Sequence, residues 1–331
     1  MPAGGGAELL SAGEIRAAYE RLRPVVLRTP LLPARELGES LGCEVRLKCE
    51  SLQRAGAFKI RGAYNFLSQM APAALARGVV TFSSGNHAQG VALAARLLGS
   101  HAIAVMPVTA PGIKQEGARR LGAEVVLEGH TSVERRQRAE AIAAETGRTI
   151  IPGFDDRRIM AGQASIGVEI AEEWPEADTI VVPCGGGGLL GGIAAAVAPV
   201  LRSPRVIGVE PVAAPSMTAA LAAGAPVLLP STRTIADGLA AVRVSDLTLA
   251  HVKALVHGIV TVEEDALREA TAWLFLREKL VVEFSGSAGV AALRAALIET
   301  RGRRVAVVLS GGNIDPVAIH DLFPGRNAVT A

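Results

Sequence analysis

The sequence has few aromatic residues, little net charge and no long hydrophobic run. Phe, Trp and Tyr together make up 3% of 331 residues, which leaves few rings on which nucleic-acid bases could stack. The 34 basic and 32 acidic residues are interleaved and give a formal net charge of +2. No apolar stretch approaches the roughly 18 to 20 residues that span a bilayer. We therefore expect neither a nucleic-acid-binding protein nor a membrane protein.

Cysteine is also scarce. Cys43, Cys49 and Cys184 form neither an even disulfide set nor a Cys-x-x-Cys metal motif. The segment Met1 to Leu10 lacks the basic and apolar regions of a secretion signal. These features predict a protein of the reducing cytoplasm.

From about residue 78, short β-branched runs alternate with helix-length segments, which is typical of a parallel sheet covered by helices. The length of 331 residues suits two domains, because one domain usually has roughly 100 to 200 residues. We expect a two-domain α/β protein with doubly wound parallel sheets, in which residues 54–150 form the small domain and residues 1–53 plus 151–331 the large one. The predicted strands are Val79 to Phe82, Ile103 to Met106, Val125 to Leu127, Ile180 to Val182, Val206 to Val209 and Val305 to Leu309. The predicted helices include Ala88 to Leu98, Val133 to Thr146, Leu189 to Leu201 and Glu263 to Leu280.

Four consecutive glycines, Gly185 to Gly188, separate a predicted strand from a predicted helix. Their N–H groups can approach an anion without obstruction by a Cβ atom, and the dipole of the following helix favours negative charge. We therefore predict a phosphate-binding loop. A tight turn without a ligand is the alternative, although such a turn needs fewer glycines.

The same loop is also compatible with a dinucleotide. Gly186, Gly188 and Gly191 satisfy the Gly-x-Gly-x-x-Gly pattern, and Glu210 follows about where a ribose-binding acid is expected. An NAD-dependent dehydrogenase is therefore the alternative from a different class of enzyme.

The chain has only five lysines, and their surroundings differ. Strand-like alternation places Lys48 on a polar face, while Lys114, Lys253 and Lys279 are interpreted as solvated surface residues. Lys59 stands between Phe58 and Ile60, where desolvation would favour the neutral, nucleophilic amine. An amine near a phosphate loop suggests Schiff-base chemistry with pyridoxal phosphate (PLP), although Lys59 could instead extend to the surface at a helix start.

The chain contains four motifs in order, namely Gly-Ala-Phe-Lys-Ile-Arg-Gly-Ala (56–63), Ser-Ser-Gly-Asn-His-Ala-Gln (83–89), Gly185 to Gly188 and Ser-Gly-Gly-Asn (310–313). In these motifs it resembles the fold type II PLP enzymes, and among them the threonine/serine dehydratases and serine racemases. The resemblance extends from about Arg28 to Asp315. It implies the tryptophan-synthase-β-like two-domain fold and, as a rule among such enzymes, a homodimer or homotetramer.

The resemblance implies roles for single residues. Lys59, beside Phe58, would bind PLP covalently and then remove the Cα proton of the substrate. Ser84 would be a second base on the opposite face in racemases. The remaining cofactor-binding residues would be Asn86, Gly185, Gly186, Gly187, Gly188, Leu189 and Ser310, and the substrate would contact Ser83, Ser84, Asn86 and His87. His87 could equally cap or pack beneath its loop.

Some positions depart from the family pattern. Ala57 replaces a common serine, and Phe284 stands in place of the proline in a Glu-Pro pair at 283–284. The racemase-like branch carries a divalent cation whose ligands would correspond to Glu210, the Ala214 carbonyl and an acid at position 216. Because this chain has Ser216, we do not expect a tight Mg²⁺ or Ca²⁺ site.

The predicted function is PLP-dependent β-elimination of L-threonine or L-serine, a small-molecule amino acid, to give a 2-oxo acid and ammonia. Serine racemase and 3-hydroxyaspartate dehydratase are alternatives within the same cofactor class. A non-catalytic amino-acid sensor with the same fold is a further alternative, which would bind its ligand without releasing ammonia.

Overall fold

A computed structural model describes residues 8–323, and its strands form two sheets. The six-stranded sheet has the order β1-β2-β10-β7-β8-β9, with β1 antiparallel to β2 and all other neighbours parallel. Its strands are β1 (Leu31–Pro33), β2 (Glu44–Lys48), β7 (Thr179–Pro183), β8 (Arg205–Pro211), β9 (Gly258–Val262) and β10 (Arg304–Val308). The second sheet is parallel throughout and has the order β5-β4-β3-β6. Its strands are β3 (Val79–Phe82), β4 (Ala102–Met106), β5 (Ala123–Leu127) and β6 (Thr149–Ile150).

Helices connect the parallel strands and cover the sheets, as the alternating pattern predicts. They are α1 (Ala12–Leu22), α2 (Arg35–Leu41), α3 (Lys59–Leu67), α4 (Pro72–Arg77), α5 (Asn86–Leu97), α6 (Gly112–Arg120), α7 (Ser132–Thr146), α8 (Arg157–Glu173), α9 (Gly188–Val197), α10 (Ser216–Ala223), α11 (Asp246–Leu255), α12 (Glu264–Trp273), α13 (Phe284–Arg294) and α14 (Pro316–Asp321). A π-helical turn, Leu274–Glu278, follows α12, so the predicted helix from Glu263 to Leu280 ends earlier as an α-helix.

The central strands of the larger sheet are buried on both faces. Along β7, Val181 belongs to one apolar cluster, whereas Ile180 and Val182 belong to the cluster on the opposite face. β10 alternates in the same way, with Val307 on one side and Val308 on the other. This two-sided burial explains why these strands are continuous apolar runs in the sequence.

All strands of the four-stranded sheet lie between residues 79 and 150. The domain division at residues 54 and 150 stays a prediction, and residues 1–7 and 324–331 of its large domain lie outside the described residues. None of the helices within residues 8–323 combines the length and apolar character needed to cross a lipid bilayer.

Three loops with small residues leave the carboxyl ends of parallel strands. Ser83 follows β3, Gly185 follows the end of β7, and Ser310 follows the end of β10. In open parallel sheets, ligands bind at this edge. Three of the four sequence motifs thus lie at the carboxyl ends of parallel strands.

Candidate active site

A cavity of about 200 Å³ lies between these loops. Every residue predicted to bind the cofactor or the substrate lines it, namely Phe58, Lys59, Ser83, Ser84, Asn86, His87, Gly185, Gly186, Gly187, Gly188, Leu189 and Ser310. The two residues named for a cation, Glu210 and Ala214, are not among the lining residues. The structure therefore brings the four motifs together in one cavity.

Lys59 is the first residue of α3 and is half-buried. Its position is fixed by pairing between two motifs: the Phe58 N–H donates to the Ser310 carbonyl at 3.1 Å, and Gly312 donates to Gly56 at 2.8 Å. The Lys59 Nζ donates to the Gly153 carbonyl at 3.0 Å. Burial lowers the pKa of Lys59 to about 8, although the negative charge of Glu283 opposes the shift.

The glycine loop has an exacting geometry. Gly187 has a φ of +86°, which side-chain-bearing residues rarely adopt. A Cβ at Gly186 or Gly188 would overlap with Phe154, at 2.3 Å and 2.8 Å from its nearest atoms. Within residues 8–323, the N–H groups of Gly185–Leu189 have no hydrogen-bond acceptor. The loop therefore presents a row of free donors at the start of α9.

The loop after β3 carries the polar residues predicted to contact the substrate. Ser83, Ser84 and Asn86 are half-buried, and α5 begins at Asn86. The Asn86 amide is already held on both sides, since Nδ2 donates to Glu283 and Oδ1 accepts from Asn313 Nδ2 at 2.9 Å. Ser83 and Ser84 thus line the cavity beside an amide whose orientation is fixed.

His87 is buried, and its Nε2 lies 3.2 Å from the Ile151 carbonyl. Burial and the positive charge of Lys59 lower its pKa to about 3, so the imidazole is neutral at physiological pH. The contact with Ile151 requires a proton on Nε2, which leaves Nδ1 as an acceptor. His87 lines the cavity and also packs beneath its loop.

The sequence-based interpretation of Lys114 as a surface residue is wrong. It is 4% exposed, lines the cavity, and its Nζ lies 2.6 Å and 2.8 Å from the Asp237 carboxylate oxygens. The third contact, at 3.1 Å, is with Glu283. Burial opposes the charged amine, but the two carboxylates outweigh it and raise the pKa of Lys114. Burial raises the pKa of Glu283, while Lys114 opposes that shift.

The cluster formed by Lys114, Asp237 and Glu283 requires a glycine at position 85. A Cβ at Gly85 would lie 2.3 Å from Cδ of Lys114, so the glycine lets the lysine pass under the loop after β3. Local sequence gives little signal for the burial of Lys114, because Asp237 and Glu283 are distant from it in the sequence.

The prediction that Lys48 lies on a polar face is also wrong. Lys48 is 0% exposed and pairs with Glu169 at 2.7 Å rather than facing solvent.

Arg135 is a further lining residue that sequence reasoning missed. It projects from α7, and Ser132 of the same helix also lines the cavity. Its Nε has no hydrogen-bond partner within residues 8–323, and Nη1 makes one long contact of 3.5 Å with the His130 carbonyl. Arg135 therefore supplies positive charge to the cavity with most of its donors unused.

The chain resembles known enzymes over nearly its whole length. A family model described as "Pyridoxal-phosphate dependent enzyme" matches residues 22–311. The L-threonine ammonia-lyase of Thermotoga maritima is 42% identical over 307 residues, which cover 93% of this chain and 76% of that protein. The L-threo-3-hydroxyaspartate ammonia-lyase of a Pseudomonas species is 39% identical over 318 residues, covering 96% of this chain and 100% of the relative.

The solved structure of maize serine racemase has a TM-score of 0.90 and 35% identity, covering 96% of this chain and 97% of that one. The chain belongs to the pyridoxal-phosphate-dependent enzyme family. Within this family its fold is that of the fold type II enzymes, as the motif order implies.

The donor set of the site fits the cofactor of this family. PLP carries a phosphate and an aldehyde. The free N–H groups of Gly185–Leu189 at a helix start suit the phosphate, and the Lys59 amine in the same cavity suits the aldehyde. Residues 153 and 154 contact both the glycine loop and the lysine. Phe154 packs on Gly186 and Gly188, and the carbonyl of its neighbour Gly153 accepts a hydrogen bond from the Lys59 amine.

The residues named for a divalent cation are arranged differently. Glu210 accepts from Met217 N at 2.7 Å, from Thr218 N at 2.9 Å and from Thr218 Oγ1 at 2.8 Å. Its carboxylate thus caps the start of α10 and is unavailable as the ribose-binding acid of the nicotinamide alternative. Within residues 8–323, no cluster of three His, Cys, Asp or Glu side chains could hold a metal ion.

Proposed function

We propose that this PLP enzyme is an ammonia-lyase that converts L-threonine or L-serine into a 2-oxo acid and ammonia. One observation carries the proposal: the cavity unites a lysine whose pKa is lowered to about 8 with a loop of free N–H donors. Similarity to the Thermotoga maritima L-threonine ammonia-lyase supports this choice of substrate.

The chain's own residues would divide the work. Gly185–Leu189 would bind the cofactor phosphate through their N–H groups, and Ser310 would face the ring nitrogen with a neutral hydroxyl. When bound, PLP supplies an electron-withdrawing ring that stabilises negative charge at Cα of an attached amino acid. Lys59, as a neutral amine, would take the Cα proton, and the β-hydroxyl would then leave as water with a proton supplied by the Lys59 ammonium or by a water molecule.

Hydrolysis of the resulting enamine consumes one water, so the net reaction of threonine gives 2-oxobutanoate and ammonia.

Ser83, Ser84 and Asn86 would orient the substrate carboxylate, because they lie where α5 begins and its first N–H groups are free. The neutral hydroxyl of Ser310 would not hold the ring nitrogen protonated. This favours loss of the β-substituent over transamination.

The deciding experiment is an assay of ammonia and 2-oxo acid release by the purified protein with L-threonine and L-serine. Lys59→Ala should lose at least about 10³-fold of kcat/KM, because it removes both the attachment point and the base. Lys253→Ala is the matched control, because this lysine is exposed. An unaltered rate in Lys59→Ala, or a protein that binds substrates without releasing ammonia, refutes the proposal.

A second candidate, dehydration of 3-hydroxyaspartate, is favoured by Arg135. Its largely unused guanidinium lines the cavity and could bind a second carboxylate. We expect Arg135→Met to lower kcat/KM for L-threo-3-hydroxyaspartate by about 100-fold while changing L-threonine turnover little. Equal losses for both substrates would remove this candidate.

Racemisation of serine is the other candidate, because the Ser84 hydroxyl lines the same cavity as Lys59. Here we expect Ser84→Ala to abolish D-serine formation while L-serine dehydration persists. The absence of D-serine from the wild-type reaction would exclude a racemase.

We further propose that the enzyme works in the cytoplasm as a homodimer or homotetramer. All three cysteines are free in the structure, which suits a reducing compartment. The oligomeric state can be measured by analytical ultracentrifugation.

A further inference from the structure

Gln163 is a buried cavity residue that belongs to none of the four motifs. It lies on α8, is 1% exposed and lines the cavity. Its Oε1 accepts from the Gly62 N–H at 3.2 Å, which fixes the orientation of the amide. Its Nε2 has no hydrogen-bond acceptor within residues 8–323.

Gln163 lies on the helix that packs against both cofactor-binding elements. α8 packs against both α3, which begins with Lys59, and α9, which begins with the glycine loop. Glycines allow the close approach: a Cβ at Gly62 would lie 2.3 Å from Gln163 Nε2, and a Cβ at Gly192 would lie 2.6 Å from the Met160 carbonyl. The position of Gln163 is therefore determined by the packing that also positions the amine and the loop.

The chemistry of the missing acceptor can be narrowed. A buried N–H group without an acceptor is destabilising, so the acceptor is expected to arrive with a ligand. The carboxylates that line the cavity, Asp237 and Glu283, are already engaged by Lys114. The N–H groups of Gly185–Leu189, which line the same cavity, also lack acceptors within residues 8–323, and this points to one anion with several oxygens.

We propose that Gln163 is a further cofactor-binding residue whose Nε2 donates a hydrogen bond to the phosphate of PLP. The glycine loop would supply main-chain donors from α9, and Gln163 would supply a side-chain donor from α8. The proposal depends on PLP as the cofactor but on neither the substrate nor the reaction.

The test compares PLP with pyridoxal, which lacks the phosphate, on apoprotein by equilibrium dialysis. Gln163→Glu keeps Oε1 as the acceptor for Gly62 but replaces the donor with an anion. We expect PLP binding to weaken about tenfold or more and pyridoxal binding to change less than about twofold. Glu172→Gln is the matched control, because it alters a charge on the exposed face of the same helix.

Equal weakening of both ligands would indicate a merely structural role and overturn the proposal, as would unchanged PLP affinity. If Gln163→Glu does not fold, Gln163→Met removes the donor without adding charge and should weaken PLP about threefold or more relative to pyridoxal. Failure of the wild type to bind PLP would overturn the proposed function as well. Binding of PLP without ammonia release would overturn the proposed function alone.

Discussion

Lys59 changes its charge in a range close to neutral pH. Burial lowers its pKa from 10.5 to about 8, so raising the pH from 6.5 to 9 converts the ammonium into the nucleophilic amine. We predict that the rate at which apoprotein incorporates PLP rises with pH and is half-maximal near pH 8. Stopped-flow absorbance measures this rate. A rate that keeps rising to pH 10 would indicate an unshifted lysine.

Lys114 neutralises two carboxylates at the cavity, of which Glu283 is 3% exposed. Lys114→Met leaves this carboxylate buried without its cation, so we expect the free energy of unfolding at pH 7 to fall by about 3–5 kcal/mol. The deficit should shrink as the pH is lowered toward 5, because burial already raises the pKa of Glu283 and protonation then removes the charge. Urea denaturation at several pH values measures both effects.

The matched control is Lys253→Met, which removes an exposed lysine and should change stability by less than about 0.5 kcal/mol. Adding Glu283→Gln to Lys114→Met should restore about half of the loss or more, since the residues interact directly. A double variant that is less stable than Lys114→Met contradicts this account.

The lysines also show what local sequence can and cannot predict about the site. Lys59 was singled out by apolar neighbours and by motif order, both of which are visible in the sequence. The burial of Lys114 and Lys48 depends on Asp237, Glu283 and Glu169, which are brought close only by folding. A charged side chain is buried only where oppositely charged partners surround it, and here those partners are distant in sequence. A local stretch of sequence therefore does not predict its burial.

At the scale of elements, α10 shows how a carboxylate can complete a helix. Glu210 accepts hydrogen bonds from the N–H groups of Met217 and Thr218. These groups have no acceptor within the helix, because they belong to its first turn. Since Ser216 stands where a second carboxylate would be needed, we predict that removal of divalent cations with EDTA leaves activity unchanged. The melting temperature should also change by less than about 1 °C.

The informative comparison is Ser216→Asp, which adds a carboxylate beside Glu210. This variant should gain stability on addition of Mg²⁺ or Ca²⁺, by about 1 kcal/mol or more when the free cation exceeds its Kd about tenfold. Loss of wild-type activity in EDTA, restored by Mg²⁺, would contradict the metal-free interpretation.

Most strands with continuous β-branched runs could be predicted, whereas the short strands could not. β9 is an exception, because Gly258–Val262 is such a run and was not predicted. β3 occupies Val79–Phe82 as predicted, and β4, β5, β7 and β8 contain the predicted runs. The strands Leu31–Pro33 and Thr149–Ile150 were not among the predicted runs, because two or three residues carry no periodic signal. Their pairing depends on neighbouring strands that are distant in sequence.

Across the whole molecule, a buried charge network connects segments that are distant in sequence. Arg61 is 0% exposed and bonds to Glu50, which follows β2, and to Glu169 on α8. Lys48 pairs with the same Glu169 and donates to the Thr29 carbonyl at 2.6 Å. Burial opposes the charged form of Glu50, but Arg61 outweighs it and lowers the pKa of this carboxyl.

We predict that Arg61→Met lowers the free energy of unfolding by about 3–5 kcal/mol, because two buried carboxylates lose a bidentate partner. Arg96→Met, which removes an exposed arginine from α5, should cost less than about 0.5 kcal/mol. Urea denaturation of the apoproteins gives both values. A loss below about 1 kcal/mol for Arg61→Met would show that the network contributes little.

Arg61→Met also serves to distinguish an effect on the stability of the fold from a direct contact with the cofactor. Arg61 lies two residues after Lys59 on α3, so loosening its network should weaken the binding of PLP and of pyridoxal alike, together with stability. Gln163→Glu should weaken PLP selectively. Measuring both ligands on both variants therefore distinguishes a residue that holds the helices together from one that contacts the phosphate, and a selective loss of PLP in Arg61→Met would contradict this division.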